Sequence, residues 1–271
     1  MTIQQRLEAI RRIVKTETKV VVSELSKQFD VTEETIRRDL YKLEMEGLVS
    51  RTYGGAILNQ SNTSENLDFY RREQKNPEKK REIAALAASV IPFNTSVSAD
   101  GSSTVVEALK TMASHEGTTV LTYSTKAIDY LAESNVRLIC TGGIVNANTC
   151  AFGGILTQRV LENYNTEYAM ISCKAVNMNG GVYDSNEEEA VLKQCMIKHA
   201  AKTILLVDSS KFDRVAFAHI TDFEQIYMLI TDKKPSQTWC DFLEEKGVKL
   251  VFPDKETIGK DNKDVVIPIA G

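Results

Sequence analysis

Hydroxyl groups, glycines, carboxylates and lysines stand directly after several short strand-like runs in this 271-residue sequence. The first such segment, DGSST at residues 100–104, follows the run 96–99 and opens a helical pattern. Hydroxyls and free backbone N–H groups at the N-terminus of a helix bind anions, phosphate above all. A plain helix cap formed by Ser103 or Thr104 explains the same residues equally well. The segment therefore predicts either a phosphate site or a simple cap.

Further polar segments follow other strand-like runs. They lie at residues 123–126, 141–143, 172–174, 184–189 and 208–211. Carboxylates and amides suit sugar hydroxyls, whereas lysines such as Lys193 and a helix N-terminus suit phosphate, so the mixture predicts a phosphorylated sugar. Each segment also has a simpler interpretation: residues 187–189 favour a helix N-terminus, and residues 208–210 favour a turn.

A second polar group lies near the N-terminus, on a helical pattern that ends at Gly47. Ile36, Leu40 and Leu43 fall within a narrow arc and are expected to pack inward. Arg38 falls almost opposite that arc, so the outward face carries hydroxyls, a phenol and cations. Such groups contact phosphates and read base edges in the major groove of DNA.

Two further helical patterns precede this helix, with Ser23 and Thr32 predicted to cap the second and third helices. The segment after Gly47, with a turn at residues 54–55, predicts a two-stranded wing near a minor groove or phosphate. Helical periodicity alone favours a three-helix scaffold with ordinary surface charges. The turn spacing, cationic face and wing together favour a winged helix-turn-helix that binds DNA. The predicted DNA-binding residues are Ser23, Thr32, Thr35, Arg37, Arg38, Tyr41, Lys42, Arg51 and Tyr53.

The rest of the chain alternates strand and helix patterns, which predicts a parallel α/β sheet covered by helices. The predicted strands are residues 96–99, 119–122, 137–140, 168–171, 204–207, 227–230 and 249–252. The predicted helices lie near residues 103–113, 125–133, 155–163, 187–201 and 236–246. Such sheets bind ligands beyond the carboxyl ends of their strands, which is where the polar segments lie. Residues 71–81 form a basic run that is typical of a solvated helix face or a linker.

Composition excludes several classes of protein. A net charge of −4 and a pI near 5.6 exclude a uniformly basic nucleic-acid binder, but not a small DNA-binding module on an acidic domain. Five scattered cysteines without a C-x-x-C pair and three distant histidines predict no disulfide framework, metal or other cofactor. No apolar run approaches the ~20 residues needed to cross a bilayer. Since the N-terminus also lacks the features of a signal peptide, we expect a cytoplasmic protein without membrane contacts.

Residues 22–56 resemble the DNA-binding domain of DeoR-type bacterial transcriptional regulators. The similarity covers nearly all of residues 3–57, and its most specific parts are TIRRDL at residues 35–40 and R-x-x-G-G-A at residues 51–56. This resemblance implies a DNA-binding domain over residues 1–57, a linker over 58–76 and a sensor domain over 77–271.

Residues 100–104, 141–143, 152–154, 171–193 and 205–212 resemble the DeoR-type sensor domain. The family's sensor is similar in fold to ribose-5-phosphate isomerase and binds phosphorylated sugars or related metabolites, which usually relieve repression. Lys80 matches a basic position on the first sensor helix. The effector-binding residues that this resemblance implies are Asp100, Ser102, Ser103, Thr104, Ser124, Gly142, Gly143, Lys174, Asn186, Glu189, Lys193 and Lys211.

Four residues depart from the family's pattern. Ser102 replaces a glycine, Tyr123 an asparagine, Glu167 an aspartate and Ala175 a glycine. Of these, Tyr123 has the clearest expected consequence, because its ring can narrow the pocket or stack on the face of a sugar.

We interpret the sequence as a DNA-binding regulator, a repressor of a carbohydrate-utilisation operon that responds to a phosphorylated sugar. Symmetric operators predict a homodimer or homotetramer. A sugar-phosphate isomerase fused to a DNA-binding head is the enzyme alternative, since lysine and glutamate can transfer protons. A transcriptional activator or a ligand-independent DNA-binding protein is the third interpretation.

Overall fold

The computed structural model describes residues 3–17, 19–45, 49–52, 54–58 and 69–253. The chain forms two compact units, Met1–Asp68 and Phe69–Gly271. No helix within the described residues is long and apolar enough to cross a membrane.

Three helices and a three-stranded antiparallel sheet form the first unit. The helices are α1 (Ile3–Glu17), α2 (Val22–Phe29) and α3 (Glu33–Met45). The strands are β1 (Lys19–Val21), β2 (Val49–Thr52) and β3 (Gly55–Leu58), in the order β1-β3-β2. Ile36, Leu40 and Leu43 are buried in the core as predicted. The predicted winged helix-turn-helix is confirmed.

Two local features position the elements of this small unit. Arg6 of α1 and Asp39 of α3 form a buried ion pair, with Nε 2.6 Å from Oδ2. Gly55 allows β3 to approach β1, because a Cβ at this position would lie 1.9 Å from the carbonyl oxygen of Val20. Gly55 is therefore required by the contact between the two strands.

Of the two predicted helix caps, one is confirmed and one is wrong. Thr32 caps α3, with its Oγ1 accepting the N–H of Thr35 at 3.3 Å. Ser23 does not cap α2, because β1 leads directly into the helix and extended Val21 occupies the cap position. Ser23 lies exposed in the first helical turn.

A seven-stranded parallel sheet organises the second unit, in the order β15-β14-β12-β9-β4-β5-β6. Its strands are β4 (Ser96–Ala99), β5 (Thr119–Thr122), β6 (Arg137–Cys140), β9 (Thr166–Ser172), β12 (Ala200–Leu206), β14 (Met228–Ile230) and β15 (Lys249–Val251). All seven predicted strands are present. β9 and β12 begin earlier than predicted because their first residues, Thr166 and Ala200, pair with each other.

Helices cover the sheet and complete two hydrophobic cores. They are α4 (69–74), α5 (Pro77–Val90), α6 (Ser103–Thr111), α7 (Thr125–Leu131), α8 (Ile155–Glu162), α9 (Glu187–Lys198) and α10 (Gln237–Glu245). The core that contains residues of α5, α6 and α7 is distinct from the one that contains residues of α8, α9 and α10. The predicted α/β class is confirmed.

Sequence patterns missed two small antiparallel sheets. One is a hairpin of β7 (Ile144–Asn146) and β8 (Ala151–Gly153), and the other joins β10 (Ala175–Asn177), β11 (Gly181–Asp184) and β13 (Ala218–Thr221). Each strand has only three or four residues, too few to establish an alternating pattern.

The predicted linker extended too far toward the C-terminus. Residues 69–74 are helical, and the side chain of Phe69 is fully buried in the core of the second unit. Two adjacent aromatic residues in a polar stretch show no helical periodicity, so the burial of Phe69 is visible only in the tertiary structure. Residues 59–68 of the predicted linker lie outside the described residues.

Candidate effector cavity and DNA-binding face

The parallel sheet reverses its direction of winding between β4 and β9. The chain leaves β4 toward β5 and later returns to place β9 on the other side of β4. In doubly wound sheets such a switch point is the usual ligand-binding position. A cavity of about 140 Å³ lies beside the loops that follow these strands. Its lining residues are Arg72, Lys75, Lys80, Ser102, Ser103, Thr104, Cys173, Lys174, Asp184, Ser185, Lys193, Asp208, Ser210, Lys211 and Arg214.

Asp100 joins the loops that follow the two central strands. Its side chain is fully buried. Oδ1 accepts the N–H of Ser102 at 2.8 Å, and Oδ2 accepts the N–H of Ser172 at 2.9 Å. The carboxylate therefore holds the loop after β4 and the end of β9 together next to the cavity.

Lys193 lines the cavity and lies among three carboxylates. Its Nζ is 2.5 Å from Oδ2 of Asp184, 3.3 Å from Oδ2 of Asp100 and 3.7 Å from Oε2 of Glu189. Burial lowers the pKa of Lys193, but the three carboxylates outweigh burial and raise it well above the ordinary value. The ammonium is therefore held in its charged form.

Glu189 differs from the other two carboxylates of this cluster. Burial raises its pKa above the ordinary value, despite the opposing effect of Lys193. Burial acts on Asp184 in the same direction, but the charge and hydrogen bond of Lys193 bring the pKa of Asp184 below its ordinary value. Within residues 69–253, neither carboxylate oxygen of Glu189 has a hydrogen-bond partner. Buried polar groups of this kind commonly bind a ligand or ordered water.

The N-terminus of α6 forms one wall of the cavity. Ser102 is its N-cap and accepts the N–H of Val105 at 3.4 Å. The N–H groups of Ser103 and Thr104 lie in the first turn, where helix geometry provides no backbone acceptor. The cap of α6 is therefore Ser102, and not Ser103 or Thr104 as the sequence predicted. Anion ligands also use such a helix N-terminus, and the phosphate site at this position stays a prediction.

Two lysines lie near this helix end. Lys211 Nζ is 3.1 Å from Ser172 Oγ and 3.8 Å from Asp208 Oδ2. Lys80 is buried, and its ammonium donates to the backbone carbonyls of Arg72 and Glu73. Burial, together with the charge of Lys211, lowers the pKa of Lys80 to about 8.

The cavity is strongly cationic in a chain that is acidic overall. Seven of the lining residues are lysine or arginine and two are aspartate. Such an excess of positive charge in a concave site favours an anionic ligand.

Six of the predicted effector residues line this cavity: Ser102, Ser103, Thr104, Lys174, Lys193 and Lys211. Asp100 and Glu189 lie beneath it, each within 4 Å of the Lys193 ammonium.

The other four predicted effector residues are not among its lining residues. Ser124 caps α7 by accepting the N–H of Ala127 at 3.2 Å. Asn186 caps α9 by accepting the N–H of Glu189 at 3.2 Å. Gly142 and Gly143 have positive φ angles, and a Cβ on Gly143 would lie 2.2 Å from the Oγ1 of Thr157. The backbone geometry of the loop accounts for both glycines.

Tyr123 does not enter the cavity, contrary to prediction. Its side chain is fully buried, and its ring packs against Gly101, where a Cβ would lie 3.2 Å from it. Three cationic lining residues are not among the predicted ones: Arg72, Lys75 and Arg214. The first two belong to the basic run 71–81, whose pattern is typical of a solvated helix face or a linker, and only the tertiary fold brings that run to the sheet edge.

The first unit carries the predicted DNA-binding face on α3. Arg38 is exposed and lies 3.5 Å from Glu34, and Arg37 lies 3.1 Å from Glu33. Thr35, partly exposed, shares a hydrogen bond of 2.9 Å with the exposed Thr32. Lys42 is also exposed. Arg37 and Arg38 thus stand beside acidic partners on the same helix, in surface pairs that contribute little to stability.

The wing contributes one cation to the same unit. The Arg51 guanidinium lies 5.2 Å from the centre of the half-exposed Tyr41 ring. Its Nε donates to Glu44 Oε2 at 2.7 Å. Hydrogen bonds from the backbone and side chain of Arg51 lower the pKa of Glu44. The predicted contact residue Tyr53 lies outside the described residues.

Comparison with known proteins identifies the class. Residues 6–62 match the DeoR-like helix-turn-helix domain, and residues 75–233 match the DeoR C terminal sensor domain. The chain therefore belongs to the DeoR family of DNA-binding transcriptional regulators, which confirms the resemblance seen in the sequence.

Three relatives illustrate the regulators to which this chain is similar. The uncharacterized HTH-type transcriptional regulator YulB of Bacillus subtilis is 38% identical over 92% of this chain and 96% of its own length. The L-fucose operon activator of Haemophilus influenzae is 33% identical over 91% and 99%. The HTH-type transcriptional repressor GlcR of Bacillus subtilis is 30% identical over 95% and 99%.

Among solved structures, a D-ribose-5-phosphate isomerase in complex with phospho-erythronic acid aligns with a TM-score of 0.39. It is 14% identical and covers 50% of this chain and 54% of that chain. A likeness this weak says nothing about ligand or activity.

Proposed function

We propose that this regulator binds a phosphorylated sugar in the cavity at the β4–β9 switch point, and that the sugar controls its affinity for operator DNA. The observation that carries the proposal is the excess of seven cationic over two acidic lining residues beside the N-terminus of α6. A phosphate group fits this wall because it accepts hydrogen bonds from backbone N–H groups, hydroxyls and ammonium groups together.

The carboxylates around Lys193 support a sugar phosphate rather than phosphate alone. Asp184 lines the cavity, and Asp100 and Glu189 lie beneath it around Lys193. Carboxylates accept hydrogen bonds from hydroxyl groups, and neither oxygen of Glu189 has a hydrogen-bond partner within the described residues. A ligand with phosphate at one end and hydroxyls at the other satisfies both regions.

We propose that operator DNA contacts the exposed residues of α3 and the wing. The residues concerned are Thr32, Thr35, Arg37, Arg38, Tyr41, Lys42, Arg51 and Tyr53, with Ser23 on α2. The helix reads base edges while the cations hold phosphates. The proposed DNA-binding domain spans residues 1–57, and symmetric half-sites favour a homodimer or homotetramer.

Repression of a carbohydrate operon is the mode of action that we propose. The relative GlcR is named a transcriptional repressor, whereas the relative from Haemophilus is named an operon activator. In either mode, the sugar must bind the DNA-competent and DNA-incompetent states with different affinities.

Thermal unfolding with paired ligands tests the effector class. A panel of sugar phosphates is compared with the same sugars without phosphate, at equal concentration and ionic strength. We expect one or more phosphorylated members to raise the Tm, because a ligand that binds the folded state stabilises it by mass action. Stabilisation by free sugars to the same extent would refute a phosphate requirement.

A further inference from the structure

Helix α4 is the first element of the second unit. Residues 59–68 connect it in the chain to β3 of the first unit. Arg72 of α4 and Lys75 directly after it both line the cavity. Two of the seven cations that face the ligand space therefore belong to the segment nearest the connection to the DNA-binding unit.

The N-terminal end of α4 is attached to the core. Phe69 is fully buried, and its N–H donates to the carbonyl of Asn148 at 3.1 Å. Further along the helix, Glu73 accepts a hydrogen bond from Lys110 at 3.3 Å. These contacts fix one side of α4 independently of any ligand.

The C-terminal end of α4 is held by a residue of the cavity itself. Lys80 of α5 donates to the carbonyls of Arg72 and Glu73, which belong to the last turn of α4. An ammonium group has three N–H donors, so these two carbonyls leave one donor that can reach a ligand oxygen. Lys80 can therefore contact α4 and a bound anion at the same time.

The surroundings of Lys80 disfavour its positive charge. Burial lowers the pKa of Lys80, the charges of Lys211 and Arg72 lower it further, and Asp208 and Glu73 oppose them. A phosphate dianion at this position would offset the repulsion between Lys80, Arg72 and Lys75 and draw them toward the same ligand.

We propose that α4 transmits effector binding toward the DNA-binding unit, with Lys80 as the positioning residue that links the bound phosphate to the last turn of the helix. The inference rests on the proposed phosphate site. Binding shifts the equilibrium of α4 toward the state in which Lys80 contacts its last turn. Residues 59–68 connect α4 in the chain to the DNA-binding unit.

Hydrogen–deuterium exchange on the full chain tests this inference, with inorganic phosphate as the probe and sodium chloride at equal ionic strength as the reference. Amides of residues 100–105 report binding at the α6 N-terminus, and amides of residues 69–75 report α4. At a phosphate concentration about ten times Kd, we expect exchange in both segments to slow about tenfold.

The two segments separate the possible failures. Protection of both supports the inference. Protection of residues 100–105 alone would refute transmission through α4 and leave the phosphate site standing. Protection of neither segment would refute the phosphate site, and with it the inference.

Two matched variants test the role of Lys80. Lys80→Met keeps the length of the side chain but removes its donors. At about ten times the variant's own Kd for phosphate, we expect protection of residues 100–105 to persist while that of α4 is lost. Lys79→Met is the control, because Lys79 donates to Ser209 at 2.8 Å and does not line the cavity. It should behave like the wild type. Unchanged α4 protection in Lys80→Met would overturn the role of Lys80.

A third variant covers the case in which Lys80→Met does not fold. Lys75→Ala changes an exposed residue, so we expect normal folding. At the same concentration, phosphate should slow the exchange of α4 less in this variant than in the wild type. Equal protection of α4 in this variant and in the wild type would contradict the proposed contact.

Discussion

The ammonium of Lys193 lies 3.3 Å from Oδ2 of Asp100, and both side chains are buried. Asp184 and Glu189 complete the cluster around the same ammonium. One cation therefore compensates the charges of groups that approach it from the loop after β4, the end of β11 and the helix α9.

Lys193→Met should destabilise the sensor unit strongly. Its loss leaves buried carboxylates without their cation, which typically costs about 3–5 kcal/mol. Urea unfolding measures this as a lower midpoint. Lys198→Met, on the exposed face of the same helix, is the control and should change stability little. Equal stability of both variants would contradict the described cluster.

Asp39 of the TIRRDL motif should act on stability rather than on DNA. Asp39→Ala leaves Arg6 buried without its partner, and we expect a loss of about 3–5 kcal/mol. The double variant Arg6→Met/Asp39→Leu should recover much of it, because apolar replacements need no partner. Circular dichroism during urea unfolding checks the pair. A stable single variant with weak DNA binding would instead assign Asp39 to the DNA interface.

Arg38→Ala should weaken operator binding while sugar-phosphate binding stays unchanged. The side chain is exposed on α3 opposite the core, so its loss removes a phosphate or base contact and lowers the salt slope of the affinity by about 1. Arg159→Ala, exposed on α8, serves as the control. Operator affinity equal to that of the wild type would remove Arg38 from the interface.

Lys211→Met should abolish the effector response and leave operator affinity intact. The ammonium lines the cavity and lies 3.1 Å from Ser172 Oγ, where it faces the proposed phosphate. Its removal takes away a charge-assisted hydrogen bond worth about 1.5–3 kcal/mol, or roughly 10- to 150-fold in Kd. Calorimetric titration measures the loss. A wild-type Kd would mean that the anion binds elsewhere.

Effector affinity should fall as the pH rises through about 8. Burial and Lys211 lower the pKa of Lys80 to about 8, so its ammonium is charged below that pH and neutral above it. A phosphate monoester, with a second pKa of about 6, is already a dianion in this range. Affinity should therefore decline by at most about tenfold per pH unit above 8. Lys80→Met should bind more weakly with a flat profile, and a flat wild-type profile would contradict the assignment.

The sequence predicted the elements that depend on local patterns. The inward arc of Ile36, Leu40 and Leu43 and the polar loop before α6 follow from helical periodicity and capping chemistry, and both are present. The strand ends were predicted to meet at one edge, because parallel strands share that edge. Those regularities need no tertiary information.

Features that depend on distant contacts were not predictable in this way. The burial of Phe69 and the entry of Arg72 into the cavity require that α4 packs on the second core. The close approach that makes Gly55 necessary involves Val20, which is 35 positions earlier in the chain. Ser124 and Asn186 have the residue types of a binding site, but their side chains cap helices.

The most direct test of sugar-phosphate control is fluorescence anisotropy on DNA from upstream of the gene for this protein, at fixed salt. Each sugar phosphate is compared with its free sugar, using the wild type and Lys211→Met. We expect at least one phosphorylated sugar alone to release the wild-type protein from DNA, while Lys211→Met binds DNA but does not respond. DNA binding by the wild type that no phosphorylated sugar alters would contradict the proposed control.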